Sequence, residues 1–192
     1  QRSAATKRAS KTLQDGRQFT GDVIINAAGV GAGELNARAG ADSDFTVGTR
    51  ILRTEVHEVR LPEGVTQLPQ VSDKDLGTYF RSTPSGGVVV GGLVLPCDEV
   101  EWLATAEDAG EHVRAAVFER QVLRLARRIP TLAVPRHPTG IVGVYDVTDD
   151  WVPIYDQTSR KGWFVAMGTS GSQFKNAPMI GDLMMAIIEG QA

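Results

Sequence analysis

The chain has 192 residues, 42% of them apolar and 22% charged, a globular balance that excludes a disordered polar chain. Its net charge of −3 gives no reason to expect nucleic acid or an anionic membrane as a partner. With a single cysteine, Cys97, no disulfide framework can form within the chain, and the expected location is the reducing cytoplasm.

Residues 1–18, QRSAATKRASKTLQDGRQ, are polar, carry Arg2, Lys7, Arg8 and Lys11, and contain no apolar segment of the signal-peptide kind. A targeting segment, a disordered tail or the interior of a longer protein would each read this way. The segments that follow favour the interior of a longer protein. Asp22 to Gly29, DVIINAAG, reads as a strand buried on both faces that stops at a tight turn. No G-x-G-x-x-G precedes it, so a doubly wound domain starting here lacks its first strands. Gly29, Gly31 and Gly33 do not have the spacing of a dinucleotide fingerprint, and such a cluster also suits a plain turn.

Residues 51–60, ILRTEVHEVR, alternate in polarity as a strand does. Tyr79 to Arg81 and Val88 to Leu95 flank a Pro/Gly turn in a hairpin pattern, so an antiparallel sheet is expected over about residues 48–96. Val88 to Leu95 is also the longest strongly apolar run, far short of the roughly 20 residues of a membrane span. Glu107 to Ile129 reads as a helix with Phe118, Val122, Leu125 and Ile129 on one face, ended by Pro130. Arg120, Arg124, Arg127 and Arg128 read as its solvated face. Ile141 to Tyr145 and Gly162 to Met167 are expected strands. Pro178 to Gly190 has proline for the first turn of a helix and glycine for its carboxy-terminal cap. No internal repeat is present.

The stretch from Gly168 to Pro178, GTSGSQFKNAP, holds the most chemistry. Small residues let a ligand approach the backbone, and the free N–H groups at the start of the helix favour a negative or electron-rich group. Lys175 adds a full positive charge. From spacing alone this is an anion site or a Gly/Ser loop capping a helix. His57 and His112 read as structural, on a strand and a helix respectively, and His137 as a loop residue. Asp149 and Asp150 are adjacent and so point apart, which suits a turn better than a catalytic pair. Cys97 has no neighbouring histidine or second cysteine, and no metal-ligand set emerges.

Four segments occur in an order that resembles the D-amino-acid oxidase, sarcosine oxidase and glycine oxidase superfamily. They are Asp22 to Gly29, the strand pair around Gly87 to Gly92, Gly143 to Ile154 (GVYDVTDDWVPI), and Gly168 to Gly181. The resemblance runs from about residue 19 to the end. It implies an α+β protein: an FAD/NAD(P)-binding-like α/β part and an antiparallel-sheet substrate domain, without the amino-terminal dinucleotide-binding βαβ unit. Residues 1–47 and 136–192 would belong to the FAD domain and 48–135 to the substrate or cap domain. It implies FAD near Ala28, Gly29, Gly143, Gly168, Ser170, Gly171, Ser172, Gln173, Phe174 and Lys175. It implies a small-molecule amine or amino-acid substrate whose carboxylate is met by Lys175. Tyr145 reads as lining the substrate pocket or simply packing, and Arg81 as a bidentate carboxylate partner or an ordinary strand-end arginine. Some relatives attach flavin through a cysteine at the position of Gly143, so FAD here is expected to be non-covalent. Val89 falls near the place of a lysine that some oxidases set against the flavin, which leaves a dehydrogenase open beside an oxidase. The implied reaction is oxidation of a C–N bond to an imine, with the isolated chain inactive and weak or unable in FAD binding. The rivals are a fold remnant or subunit-like protein without FAD, and a superfamily member acting on a 2-hydroxy acid or glycerol phosphate.

Overall fold

The computed structural model describes residues 9–12, 15–43 and 45–191. The reading of residues 1–8 as the interior of a longer protein lies outside them. Within the polar stretch the structure places a strand that polarity had hidden: Ala9–Thr12 (β1) pairs antiparallel with Gln18–Gly21 (β2). Ile24–Asn26 (β3) leads through a single 3-10 turn at Gly29–Gly31 into Ala32–Ala39 (α1). Five strands follow: Thr49–Arg60 (β4), Val71–Asp73 (β5), Thr78–Ser82 (β6), Gly87–Gly92 (β7) and Trp102–Leu103 (β8). Then come Ala115–Arg128 (α2), Gly140–Thr148 (β9), Ile154–Gln157 (β10), Trp163–Met167 (β11) and Ala177–Ile188 (α3). One sheet has six strands, in the order β5-β6-β7-β4-β8 with β9 also paired to β4. Another runs β10-β11-β3, with β11 antiparallel to β10 and parallel to β3.

The chain divides into two compact units, Gln1–Ile51 with Tyr145–Ala192, and Leu52–Val144. In the second unit the antiparallel register sets His57, Val90 and Phe80 in one row and Val59, Val88 and Ser82 in the next. Paired residues share a face, and this face carries Val59, Phe80, Val88 and Val90 into the core. Helix α2 lays Phe118, Val122 and Leu125 on it, spaced four and three apart as a helical stripe requires. Each such side chain contributes about 1.5–3 kcal/mol of hydrophobic stabilisation. The β6–β7 turn closes with the Thr83 N–H on the Gly87 carbonyl at 2.9 Å.

Two expectations about α2 are corrected. The helix starts at Ala115 rather than Glu107: residues Glu107–Ala109 form a 3-10 turn, Gly110 takes φ +66° and Arg114 is extended. The mostly polar run from Glu107 to Arg114 has no apolar stripe to bury, so nothing favours the extra turns. His112 therefore sits ahead of the helix, not on it, and its carbonyl accepts from the Arg53 guanidinium at 2.9 Å. The arginines are not merely solvated either. Arg124 clasps both Asp98 oxygens at 2.5 and 2.8 Å, and Arg128 clasps Asp73.

In the first unit Trp163, Val165 and Met167 of β11 pack with Ala32 and Ala41. Strand β3 differs from the fully buried strand expected: Ile25 is 46% exposed and only Asn26 is buried. Its single strand partner among the described residues is β11, so one edge and part of one face stay open. Helix α3 starts with Pro178 in its first turn and ends before Gly190, which takes φ +68°, as the sequence pattern predicts. None of the helices among the described residues is long and apolar enough to cross a membrane.

Candidate functional site

The loop from Gly168 to Phe174 leaves β11 and enters α3 through a 3-10 turn at Phe174–Asn176. Its shape is set by β9. Asp146, buried in the strand, accepts the Gly168 N–H at 2.7 Å on one carboxylate oxygen and the Thr169 hydroxyl at 2.6 Å on the other. The Asp146 carbonyl accepts the Ser170 N–H at 2.9 Å. Ser170 adopts φ +49°, an uncommon angle for a residue with a side chain, and its hydroxyl donates to the Gly168 carbonyl at 3.1 Å. Gly171 takes φ +70° directly beneath the Tyr145 ring. Among the described residues, the N–H groups of Thr169, Gly171 and Gln173 meet no acceptor. The loop thus leaves three backbone donors without an acceptor among the described residues, while the Gly168 and Ser170 N–H groups and the Thr169 hydroxyl are taken up by Asp146.

The other expected residues fall as follows. Ser172 is exposed, with its N–H on the Thr169 carbonyl at 3.0 Å. The Gln173 amide donates to the Ser172 hydroxyl at 3.1 Å and accepts from Asn176 at 2.8 Å. Phe174 is 97% exposed, an unusual state for a phenylalanine. Lys175 is exposed and its ammonium donates to the Ser172 carbonyl at 2.7 Å. Gly143 lies on β9 and Arg81 on β6, both in the other unit. The Arg81 guanidinium is exposed and donates to the Ser82 carbonyl at 3.4 Å. Lys175, Tyr145 and the loop therefore belong to one compact unit, and Arg81 to the second.

Ala28 and Gly29 sit where β3 turns into α1. Asn26 organises this turn. Its side-chain oxygen accepts the Ala28 N–H at 3.2 Å, and its amide donates to the Ala32 carbonyl at 2.9 Å and to Asn36 at 2.6 Å. The Trp163 indole N–H joins on Asn36 at 3.0 Å. Asn26 and Asn36 are each 1% exposed, so the network is buried and its donors are paired. A Cβ built on Gly29, Gly31 or Gly33 meets no atom within 4 Å, so the backbone there is bare and approachable.

Three further features are distinct from the loop. A cavity of about 260 Å³, lined in part by Phe45, Val47, Asp150, Ile154 and Asp156, includes none of residues 168–175. Asp150 has its carboxyl held below the usual range by the Val152 N–H and then the Thr148 hydroxyl, which makes it a turn-former. The Tyr155 hydroxyl is buried without a partner among the described residues, and burial followed by the charge of Asp146 pushes its pKa up. No group of three potential metal ligands occurs among the described residues.

Residues 2–187 match the family model described as DAO, FAD dependent oxidoreductase. The chain belongs to this family. Among curated proteins nothing matches. Solved structures share its fold. L-proline dehydrogenase from P. horikoshii superposes with TM-score 0.72 at 18% identity, over 95% of this chain and 46% of its own. Glycine oxidase from Geobacillus kaustophilus gives 0.69 at 21%, over 98% and 46%. Fructosamine oxidase (amadoriase II) from Aspergillus fumigatus gives 0.71 at 16%, over 94% and 44%. The chain therefore spans less than half the length of each.

FAD is the group this oxidoreductase family implies, and the donor set fits it. The N–H groups of Thr169, Gly171 and Gln173, without an acceptor among the described residues, suit the carbonyl-rich, electron-rich edge of a flavin ring. The bare turn at Gly29 to Gly33, opening α1, suits a second close backbone approach. Asp146 and Asn36 escape a reading of the sequence because each meets a partner distant along the chain, Gly168 and Thr169 for one and Trp163 for the other. The one available signal is that Asp146 interrupts an otherwise apolar strand.

Proposed function

We propose that this chain supplies the substrate sheet and the flavin-ring loop of an FAD-dependent oxidoreductase that oxidises the C–N bond of an amino acid or N-methyl amino acid. In this reading residues 1–47 and 136–192 form the cofactor part, residues 48–135 form the substrate part, and the pyrophosphate-binding segment lies outside residues 1–192. The observation that carries it is the Gly168 to Phe174 loop, whose three backbone donors without an acceptor among the described residues stand in a chain of this family. The proline dehydrogenase and glycine oxidase that share the fold carry names that support an amino-acid substrate.

When bound, FAD supplies the hydride acceptor, and the protein supplies binding and orientation. The N–H groups of Thr169, Gly171 and Gln173 hold the ring edge. The Tyr145 ring, braced against Gly171, walls the loop. Lys175 exchanges its contact with the Ser172 carbonyl for the substrate carboxylate, a stronger charge-assisted partner. Arg81, in the second unit, is the alternative residue proposed for a carboxylate contact. The amine is taken neutral, so no strong base is assigned.

The test uses the protein encoded by the whole open reading frame, its flavin reduced anaerobically by a substrate panel. Bleaching by amino acids or N-methyl amino acids is expected. Bleaching only by 2-hydroxy acids or glycerol phosphate would overturn the substrate class, and a protein that holds no flavin would overturn the reading. In the same assay Lys175→Met should raise half-saturation about ten- to 150-fold while flavin stays bound. A change under about threefold would pass the role to Arg81.

A further inference from the structure

We propose that Asp146 is the positioning residue of the flavin loop, a buried carboxylate whose function is to aim the backbone donors of Thr169 and Gly171 outward. The inference rests on the loop being the flavin site, as proposed above.

The residue is 4% exposed and lies two positions from the end of β9, in a buried stretch where an acid has no solvation of its own. A buried carboxylate is costly unless its oxygens are met by donors. Here the donors come from the loop: the Gly168 N–H on one oxygen and the Thr169 hydroxyl on the other. The backbone carbonyl of the same residue takes the Ser170 N–H. Three contacts from one residue fix three successive loop residues. The turn that results holds Ser170 at φ +49°, a conformation that needs outside support, and Gly171 at φ +70°, which glycine takes freely. With these groups committed to Asp146, the N–H groups of Thr169 and Gly171 are left without an acceptor among the described residues. A free loop would spread its donors over many directions and would pay to order them when a ligand arrives. Asp146 has them ordered beforehand, which is the general route to tighter binding at unchanged contacts.

Asparagine and alanine separate this role from simple packing. Asparagine keeps the shape. Its carbonyl oxygen can still take the Gly168 N–H, and its amide can donate to the Thr169 hydroxyl, which can accept as well as donate. The loop keeps its shape and loses the charge-assisted strength. Alanine leaves Gly168 and Thr169 unpaired. The experiment has two arms.

In the first, hydrogen exchange is followed in the 192-residue chain. Asp146→Ala should speed exchange of the Gly168 and Ser170 amides by about tenfold or more, and Asp146→Asn by less, with the β10–β11 ladder unchanged. In the second, FAD affinity and the visible spectrum of bound flavin are measured in the protein from the whole open reading frame. Affinity should fall in the order wild type, Asp146→Asn, Asp146→Ala, by about tenfold or more at the end of the series, with the flavin bands displaced. Thr169→Val should move both readouts the same way, and Thr169→Ser should restore them. Asp146→Ala with wild-type exchange, affinity and spectrum overturns the inference. If Asp146→Ala does not fold, unchanged affinity and spectrum in both Asp146→Asn and Thr169→Val overturn it. A wild-type protein without flavin overturns the function proposed above and with it the ligand, but the exchange arm still reads the loop.

Discussion

The ring of Tyr145 lies over Gly171 so closely that a Cβ on that glycine would sit no more than 2.7 Å from three ring carbons. A strand residue and a loop residue, both singled out by the sequence, thus form one contact, and only glycine permits it. Gly171→Ala combines a left-handed φ with steric overlap and should cost about 2–4 kcal/mol. Urea unfolding measures it. A loss below about 0.5 kcal/mol would mean the ring moves aside freely. Gly171→Ala made in a Tyr145→Ala background should cost only the backbone part, about 1 kcal/mol.

Asp98 and Arg124 predict an acid-side dependence. The Arg124 guanidinium holds the Asp98 carboxyl below its usual range, with burial opposing and the Leu95 N–H assisting. The unfolded chain binds the proton more readily, so this stability is present above the ordinary carboxylate range and is lost as pH falls below about 4. Arg124→Met leaves a mostly buried carboxylate with its main partner gone and should cost about 1–3 kcal/mol at neutral pH. Its stability should then vary less between pH 5 and 3 than that of the wild type. Equal acid slopes would show that the pair does not couple to folding.

His57 predicts a second, higher window. Burial pushes its imidazole below the ordinary value, while Glu55, 3.5 Å from Nε2, and the Thr139 carbonyl, 3.3 Å from Nδ1, pull it partly back. The folded state therefore binds the proton less readily than the unfolded chain. Stability is full above about pH 6.5 and declines as pH falls below it, with a slope of at most about 1.4 kcal/mol per pH unit. Denaturant midpoints between pH 8 and 5 measure the decline, and His57→Gln should flatten it. A midpoint that rises toward pH 5 in the wild type would reverse the assignment and make the ring an imidazolium bridging Glu55 and Thr139.

Gly143 predicts a free flavin. Glycine offers no sulfur for a thioether, so acid precipitation of the flavin-loaded protein should leave all colour in the supernatant. Colour retained in a washed pellet would place a covalent link elsewhere.

The parts of this fold that could be read from the sequence are those decided locally. The alternation in β4, the Pro/Gly turn between β6 and β7, the Phe118–Val122–Leu125 stripe and the proline and glycine bracketing α3 each act over a few residues. The start of α2 differs from the expected one because Glu107 to Arg114 is polar enough for a helix surface but has no face to bury. β1 leaves no mark in the sequence because it is polar, and strand pairing is a property of two segments. The loop was legible from its glycines and serines. Its organiser was not: Asp146 reaches residues 22 and 23 positions away, and the Trp163–Asn36 bond spans 127. A hydrogen bond of that separation leaves no periodic trace.

That last bond also gives the molecule a built-in lamp. Trp163 is 2% exposed with its indole N–H committed to Asn36, whereas Trp102 and Trp151 are 36% and 41% exposed. An indole buried among apolar neighbours emits toward the blue and moves to the red when water reaches it. Trp163 belongs to the unit that holds the loop and Trp102 to the other. With Trp151 replaced by phenylalanine, variants that keep one of the other two tryptophans report the melting of each unit separately, without any added dye.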